Sequence, residues 1–480
     1  MSILHTSNLG AFAHESKRLL KLAIPILIGQ FCISCLGLID TLMSSKVSTV
    51  DLAAIALGTT FWTPIILLGV GLTIGLGPIV AHLKGAQKEN EIPGIVHNAL
   101  IPSLVITILS MGFLIFAPDL LLTPISESEP LLKAKTIDYL FYISFGVPAI
   151  IIFNILKNTL EGLSITIPAM VIGFLTLMLN IPINYVFIYG KFGFPQMGAV
   201  GCGVATAIVM WCSLVMLYIY SIYAKKIKHF ALLRSNHPFI KKDIAHICKV
   251  GIPISIALVV ETLSYSILGY ALTPFGSTTV AAHQIANIVA IVTFMIPVSF
   301  AAAVAIRIGQ SLGEGSYLRA KRAIISGTFL AIMAIYPIAL IVYFNQEAII
   351  DIFTKDLEVI KIATPLFLFI LIFQIQDPFF GAFQGVVRGF KDTKFLMNFN
   401  LIALWLFGVP FGYAVGLTDI FGKCYGIYGM WFTLLACYYL MTIAFIIRTI
   451  YLFKHIDKYM SKPTNNVITN KSNKVANNQG

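Results

Sequence analysis

About a dozen stretches of apolar residues, each long enough to cross a hydrocarbon core of about 30 Å as a helix, recur from Leu22 to Ile450. They occupy residues 21–44, 52–81, 95–117, 138–160, 167–189, 200–223, 251–273, 280–306, 321–344, 362–385, 396–417 and 427–452. A soluble domain has no interior large enough for them. Of the 480 residues, 58% are hydrophobic and only 11% charged, and the mean hydropathy is +0.88. The runs are continuous, without the alternation of barrel strands, so the expected fold is all-α: a polytopic membrane protein of twelve transmembrane helices. The first run is too long for a signal peptide and is expected to remain as a helix.

Basic residues orient the chain. With both termini in the cytoplasm, the outer loops hold seven of the 33 Lys and Arg (Lys46, Lys133, Lys135, Lys191, Lys355, Lys361 and Lys423) and the inner side holds the rest. The loop after the sixth span, from Lys225 to Lys249, is the most basic. The net charge of +12 therefore follows from topology and from anionic lipid at the inner face, and it gives no reason to expect nucleic acid as a partner. Cys32 and Cys35 have C-x-x-C spacing but fall inside an apolar run, where cysteine serves as a small packing residue.

Shifted by 228 residues, the sequence matches itself. Pro25 falls on Pro253, Ala53 and Ala54 on Ala281 and Ala282, Gly85 on Gly313, Pro182 on Pro410, Tyr185 on Tyr413, Gly198 on Gly426, and Gly201 on Gly429. An even number of spans per copy leaves both copies facing the same way, so two six-helix bundles are expected to be related by an axis along the membrane normal, with a cleft between them. The domains expected are an N-terminal bundle over 1–223, a basic connector over 224–250, a C-terminal bundle over 251–460 and a disordered polar tail over 461–480.

Three of the 21 acidic residues fall deep in the apolar runs: Asp40, Glu261 and Asp377. No Lys or Arg is expected at that depth. A charge at mid-membrane costs about 2.5–3.5 kcal/mol on insertion scales, so these acids are expected to face a wet interior, where they can exchange a proton or a metal cation. Helical spacing puts Tyr265 beside Glu261, and Phe373, Phe380, Gly381 and Gln384 along the face of Asp377. Aromatic faces beside carboxylates suit organic cations. Asn180 and Asn184 share a face around Pro182, where they serve either as a site or as interhelical glue. The glycine-rich stretches 69–77 and 198–207 follow no strand and are read as points of close helix contact. No nucleotide-binding, metalloprotease or nucleophile–base pattern is present, so an enzyme is not expected, and no cofactor is expected beyond a coupling ion.

The segments PILIGQFCISCLGLIDTLMSS, LNIPINYVFIYGKFGFPQMGAVGCGVATAI, GSTTVAAHQIANIVAIVTFMIP and QDPFFGAFQGVVRGFKDT together resemble the multidrug and toxic compound extrusion (MATE) transporters, in particular the bacterial NorM-like branch, over nearly the whole chain. The resemblance implies an antiporter of the cytoplasmic membrane that admits Na+ or H+ as bulky, often cationic, aromatic drugs and toxic compounds leave. It implies cation binding, of Na+ in a sodium-coupled protein, at Glu261 and Asp377, with Gln284 and Phe294 nearby. It also implies a polar cluster of Asp40, Asn180, Asn184 and Thr206 in the first bundle. Phe373 stands where the family often has tyrosine, and Ser44 and Ser45 follow Asp40-Thr41 where the family usually has glycine. The chain is expected to work as a single copy, in contact with lipid and small-molecule substrates. The alternative, a flippase for lipid-linked oligosaccharide, requires a basic cleft.

Overall fold

The computed structural model describes residues 6–123, 129–233 and 237–461, and these residues form helices joined by turns. The first half comprises α1 (Thr6–Ser45), α2 (Thr49–Ile74), α3 (Leu76–Gly85), α4 (Ile92–Leu121), α5 (Pro130–Ser144), α6 (Val147–Gly162), α7 (Ile167–Tyr189) and α8 (Ala199–Tyr223). The second comprises α9 (Lys241–Tyr270), α10 (Ser277–Gly313), α11 (Tyr317–Phe344), α12 (Gln346–Phe353), α13 (Leu357–Gly389), α14 (Thr393–Asn400), α15 (Val409–Leu417) and α16 (Gly426–Lys454). A π-helical segment, Leu401–Gly408, joins α14 to α15.

Among the described residues, eleven helical stretches are long and apolar enough to cross a membrane, with α2 and α3 together making one of them. The twelfth is the pair α5 and α6, bent by 43°. Most spans extend beyond their apolar cores. α10, for instance, runs to Gly313 where the apolar run ends near 306, because helical hydrogen bonding continues into polar sequence. The connector is correspondingly shorter, since α9 begins at Lys241. The short helix α12 has no counterpart among the expected spans. The polar stretch 462–480 lies outside the described residues. All seven cysteines, Cys32 and Cys35 included, are free thiols.

The halves meet mainly at the end that carries Thr6 and Ser461, called here the basic end. Glycine makes this seam possible. A Cβ on Gly85 would lie 2.1 Å from the carbonyl oxygen of Gln310, and one on Gly313 would lie 2.1 Å from that of His82. These contacts are symmetric, because residues 82 and 310 are themselves 228 apart. A third approach brings Gly71 of α2 so close to α9 that a Cβ would meet the Ser255 Cα at 2.4 Å, and Gly75 faces Gly251. The glycines of 69–77 thus serve contact between helices, as expected. Here the Ser255 hydroxyl donates to the Leu68 carbonyl at 2.6 Å.

A buried ion pair crosses the same seam. Arg307 of α10 donates to both carboxylate oxygens of Glu15 in α1, at 2.6 and 2.8 Å, and to Gln310 Oε1 at 2.6 Å. Gln310 donates onward to the Ser164 hydroxyl at 2.6 Å. A fully hydrogen-bonded pair of this kind adds little net stability, but losing one partner costs about 3–5 kcal/mol. It therefore favours this one register of the halves over others.

At the opposite, distal end, Asp51 in the first turn of α2 is fully buried. It accepts from Lys135 Nζ at 2.8 Å, the Ser48 hydroxyl at 2.6 Å and the Ala199 amide at 2.9 Å. Gly198 approaches this carboxylate with φ of +55°, a conformation and proximity that only glycine tolerates. Its repeat partner Gly426 has φ of +58°.

Two outcomes test this packing. Gly313→Val should force the seam apart, so spin labels at Lys88 and Leu318 should shift to longer distances by electron–electron resonance; an unchanged distribution would show that glycine does not limit closure. In the turn after α13, burial holds the Lys391 ammonium down to about 8 from its ordinary 10.5. Between these values the unfolded chain carries a proton that the folded chain lacks, so stability rises with pH across the window and the full penalty applies below it. Lys391→Gln should therefore raise the melting temperature at about pH 7 and flatten the rise between about pH 8 and 10.5.

Candidate functional site

Away from the seam the halves enclose a cavity of about 940 Å³, lined by Asp40, Glu261 and Asp377 together. It is at the upper end of the size range of small-molecule sites. The three acids of the apolar runs thus share one space although they stand on α1, α9 and α13.

In the first half, Asp40 is 9% exposed and sits against α7 and α8. Its Oδ1 accepts from Asn184 Nδ2 at 2.6 Å and Asn180 Nδ2 at 3.1 Å, and its Oδ2 accepts from the Thr206 hydroxyl at 3.2 Å. Asn184 also donates to Asn180 Oδ1 at 3.0 Å, because a four-residue step on α7 stacks the two amides. The expected cluster is therefore contiguous. Asp40, Asn180 and Thr206 reach the cavity, while Asn184 is fully buried behind them, its Oδ1 without a partner.

The repeat places no equivalent in the second half. Asp40 corresponds to Leu268 and Asn184 to Gly412. There the Leu268 Cδ2 lies 2.8 Å from where a Cβ on Gly412 would stand, so an apolar contact replaces the polar one.

The second half builds its own site from α9, α13 and α16. Glu261 accepts from the Tyr438 hydroxyl at 2.6 Å. Asp377 accepts from Gln376 Nε2 at 2.8 Å, and Gln376 is held in turn by the Thr442 hydroxyl. Tyr438 is the hub: its ring centroid lies 5.1 Å from Phe380, 5.8 Å from Phe373, 6.2 Å from Tyr265 and 6.5 Å from Phe294. Phe373 supplies no hydroxyl, but Tyr438 brings one to the same group of residues from another helix.

Of the aromatic residues expected at the cleft, Tyr265, Phe294 and Phe373 line the cavity. Phe380 does not. It is 1% exposed and packs behind the wall against Phe294 at 6.1 Å and Phe445 at 5.7 Å, because a three-residue step from Asp377 turns about 60° around α13 toward α16. Gln284 is exposed and absent from the wall, where α10 presents His283, Asn287 and Phe294 instead; Gln284 lies about 100° around the helix from His283.

Two cations also line the cavity, although no Lys or Arg falls in the sequence at the depth of the three acids. Lys157 of α6 stands 3.7 Å from Glu161, and Arg388 occupies the last turn of α13. Their side chains extend inward from positions near helix ends, which linear depth along the sequence does not register. Tyr438, Gln376 and Trp431 were missed as well, since nothing in an apolar run marks which aromatic or amide faces an acid on another helix. Trp431 donates to His283 Nδ1 at 3.2 Å.

Asn184→Leu should destabilise the protein by about 1–3 kcal/mol, because it removes the shortest hydrogen bond to a buried carboxylate. Thermal unfolding in detergent measures this, and Asp40→Asn combined with Asn184→Leu should recover part of the loss. Equal melting of wild type and Asn184→Leu would mean that the cluster carries no stability.

The comparisons agree with the duplication and the architecture. The MatE family model matches residues 25–186 and again 253–414, two segments that begin 228 residues apart. Multidrug resistance protein NorM of Photobacterium profundum is 37% identical over 420 residues, covering 88% of this chain and 92% of the relative. NorM of Vibrio cholerae is 36% identical, covering 85% and 89%. Among solved structures, a MATE protein in its straight conformation superposes with a TM-score of 0.81 at 21% identity, covering 92% of this chain and 97% of that one. An outward-facing multidrug resistance MATE family transporter superposes at 0.80 and 20% identity, covering 92% and 96%. With two family matches, whole-length relatives and this fold, the chain belongs to the MatE family of transporters.

Proposed function

We propose that this protein exports bulky, aromatic, often cationic compounds across the cytoplasmic membrane in exchange for an entering cation, Na+ or H+. The observation that carries this reading is the meeting of Asp40, Glu261 and Asp377 in one cavity that also presents Tyr265, Phe294 and Phe373. Relatives named multidrug resistance proteins support it. With both termini cytoplasmic, the glycine seam closes the inner side and the cavity serves the outward-facing half of the cycle.

Carboxylates in a low-dielectric cavity attract positive charge, and rings beside them add apolar contact and cation–π attraction. Glu261 and Asp377 bind the coupling cation, and Asp40 exchanges a proton or contacts substrate. Cation and drug are exchanged because each stabilises a different arrangement of the halves, and a ligand shifts such an equilibrium only through unequal affinity for its states. One charge entering down 100 mV supplies about 2.3 kcal/mol, which sustains a near fiftyfold drug gradient under tight coupling. A single chain contains the complete cavity and works alone. The flippase alternative needs several unpaired cations, whereas Lys157 has Glu161 beside it, leaving only Arg388 among the described residues of the wall.

The test is ethidium efflux from proteoliposomes, driven first by a sodium gradient and then by a pH gradient. At least one gradient should drive export, and Asp377→Asn should reduce driven export at least about tenfold, the scale of losing one charge-assisted contact, while membrane insertion is retained. Driven export undiminished in Asp377→Asn would remove that residue from the coupling site.

A further inference from the structure

Arg388 is the anomaly of the cavity. It is 9% exposed, and its Nε has no hydrogen-bond partner. Buried Arg307 is satisfied by Glu15 and Gln310, and half-buried Arg448 by Asp392 at 2.6 Å. Among the described residues, no carboxylate lies within ion-pair distance of Arg388, and no hydrogen bond engages its guanidinium. The negative end of the α13 dipole accounts for a cation in the last turn, but not for a guanidinium turned into a cavity with its donors unused.

A second, independent set of unused groups shares its helix face. Gln374, 1% exposed and lining the cavity, has neither its amide oxygen nor its amide nitrogen partnered. Gln384, one turn before Arg388, also lines the cavity. Gln374, Asp377, Gln384 and Arg388 therefore form a polar ladder along α13, with Asp377 and Arg388 about 16 Å apart along the helix axis. The cavity thus presents Glu261 and Asp377, and, nearer the basic end, Arg388 together with the Lys157–Glu161 pair.

We infer that Arg388 is an anion-docking residue that receives the carboxylate of zwitterionic aromatic substrates, whose amine faces Glu261 and Asp377. A planar guanidinium fork matches a carboxylate in a way that a point charge does not. The inference deepens the export reading and rests on it. A role confined to balancing Glu261 would make Arg388 indifferent to whether the exported compound carries a carboxylate.

The test compares rhodamine B, a cationic xanthene with a free carboxylate, with its ethyl ester, which keeps the rings and the positive charge but lacks the anion. Binding to the purified full-length protein is read by fluorescence polarisation. Arg388→Gln should weaken rhodamine B relative to the ester by about tenfold to a hundredfold, the range for a charge-assisted hydrogen bond. Arg388→Lys, which keeps the charge and loses the fork, should move the ratio part of the way in the same direction. Should Arg388→Gln fail to fold, the ratio in Arg388→Lys decides. An unchanged ratio, or equal weakening of both dyes, overturns the docking role while leaving export intact. Wild-type protein that bound neither dye would overturn the export reading and this inference together.

Discussion

A carboxylate inside a bilayer must find its partners within the protein, because the surrounding lipid offers none. Asp40 finds two amides and a hydroxyl, all from neighbouring helices of its own half. Glu261 and Asp377 each have one side-chain hydrogen bond among the described residues, so they retain acceptor capacity toward the cavity. The first half thus holds a satisfied acid and the second half holds two undersatisfied ones. On the proposed exchange, that inequality favours α9 and α13 for the entering cation and leaves Asp40 the more guarded group.

The cavity exists only because the halves are held at one end. Backbone can press on backbone where side chains are missing, and Gly85, Gly313 and Gly71 supply that absence at three points of the seam. The Glu15–Arg307 pair adds direction where glycine provides proximity. Both features can be undone by moving rigid halves, without unfolding a helix. A duplicated architecture with its contacts concentrated at one end is well suited to rocking, since the halves can pivot about that seam as rigid bodies.

Much of this was legible in the residues. Hydropathy marks the twelve spans, and the 228-residue repeat anticipates the two segments that match the family model. The three acids stand out because charge in hydrocarbon is costly, and they do share a cavity. What escaped detection depends on partners distant in sequence. Tyr438 lies 177 residues from Glu261 and looks like any aromatic residue of an apolar run. Lys157 and Arg388 sit near helix ends, where a basic residue is ordinary, and only the inward direction of their side chains makes them part of the wall. The placement of Phe380 failed on rotation, because residues three apart differ by about 60° around a helix, enough for one to line the cavity and the other to sit behind it; that of Gln284 rested on the resemblance, and α10 turns His283 inward instead.

The leucine that fills the second half where Asp40 stands in the first has a consequence for how the machine can work. Leu268 against Gly412 is a socket of the same shape, plugged with hydrocarbon. The two bundles are therefore alike as mechanical parts and unlike as chemical ones: the polar cluster around Asp40 has no twin in the second half, and the Glu261 and Asp377 site stands on other positions. Under the proposed exchange, a cycle of this protein is therefore lopsided, with two differently tuned weights on a symmetric balance.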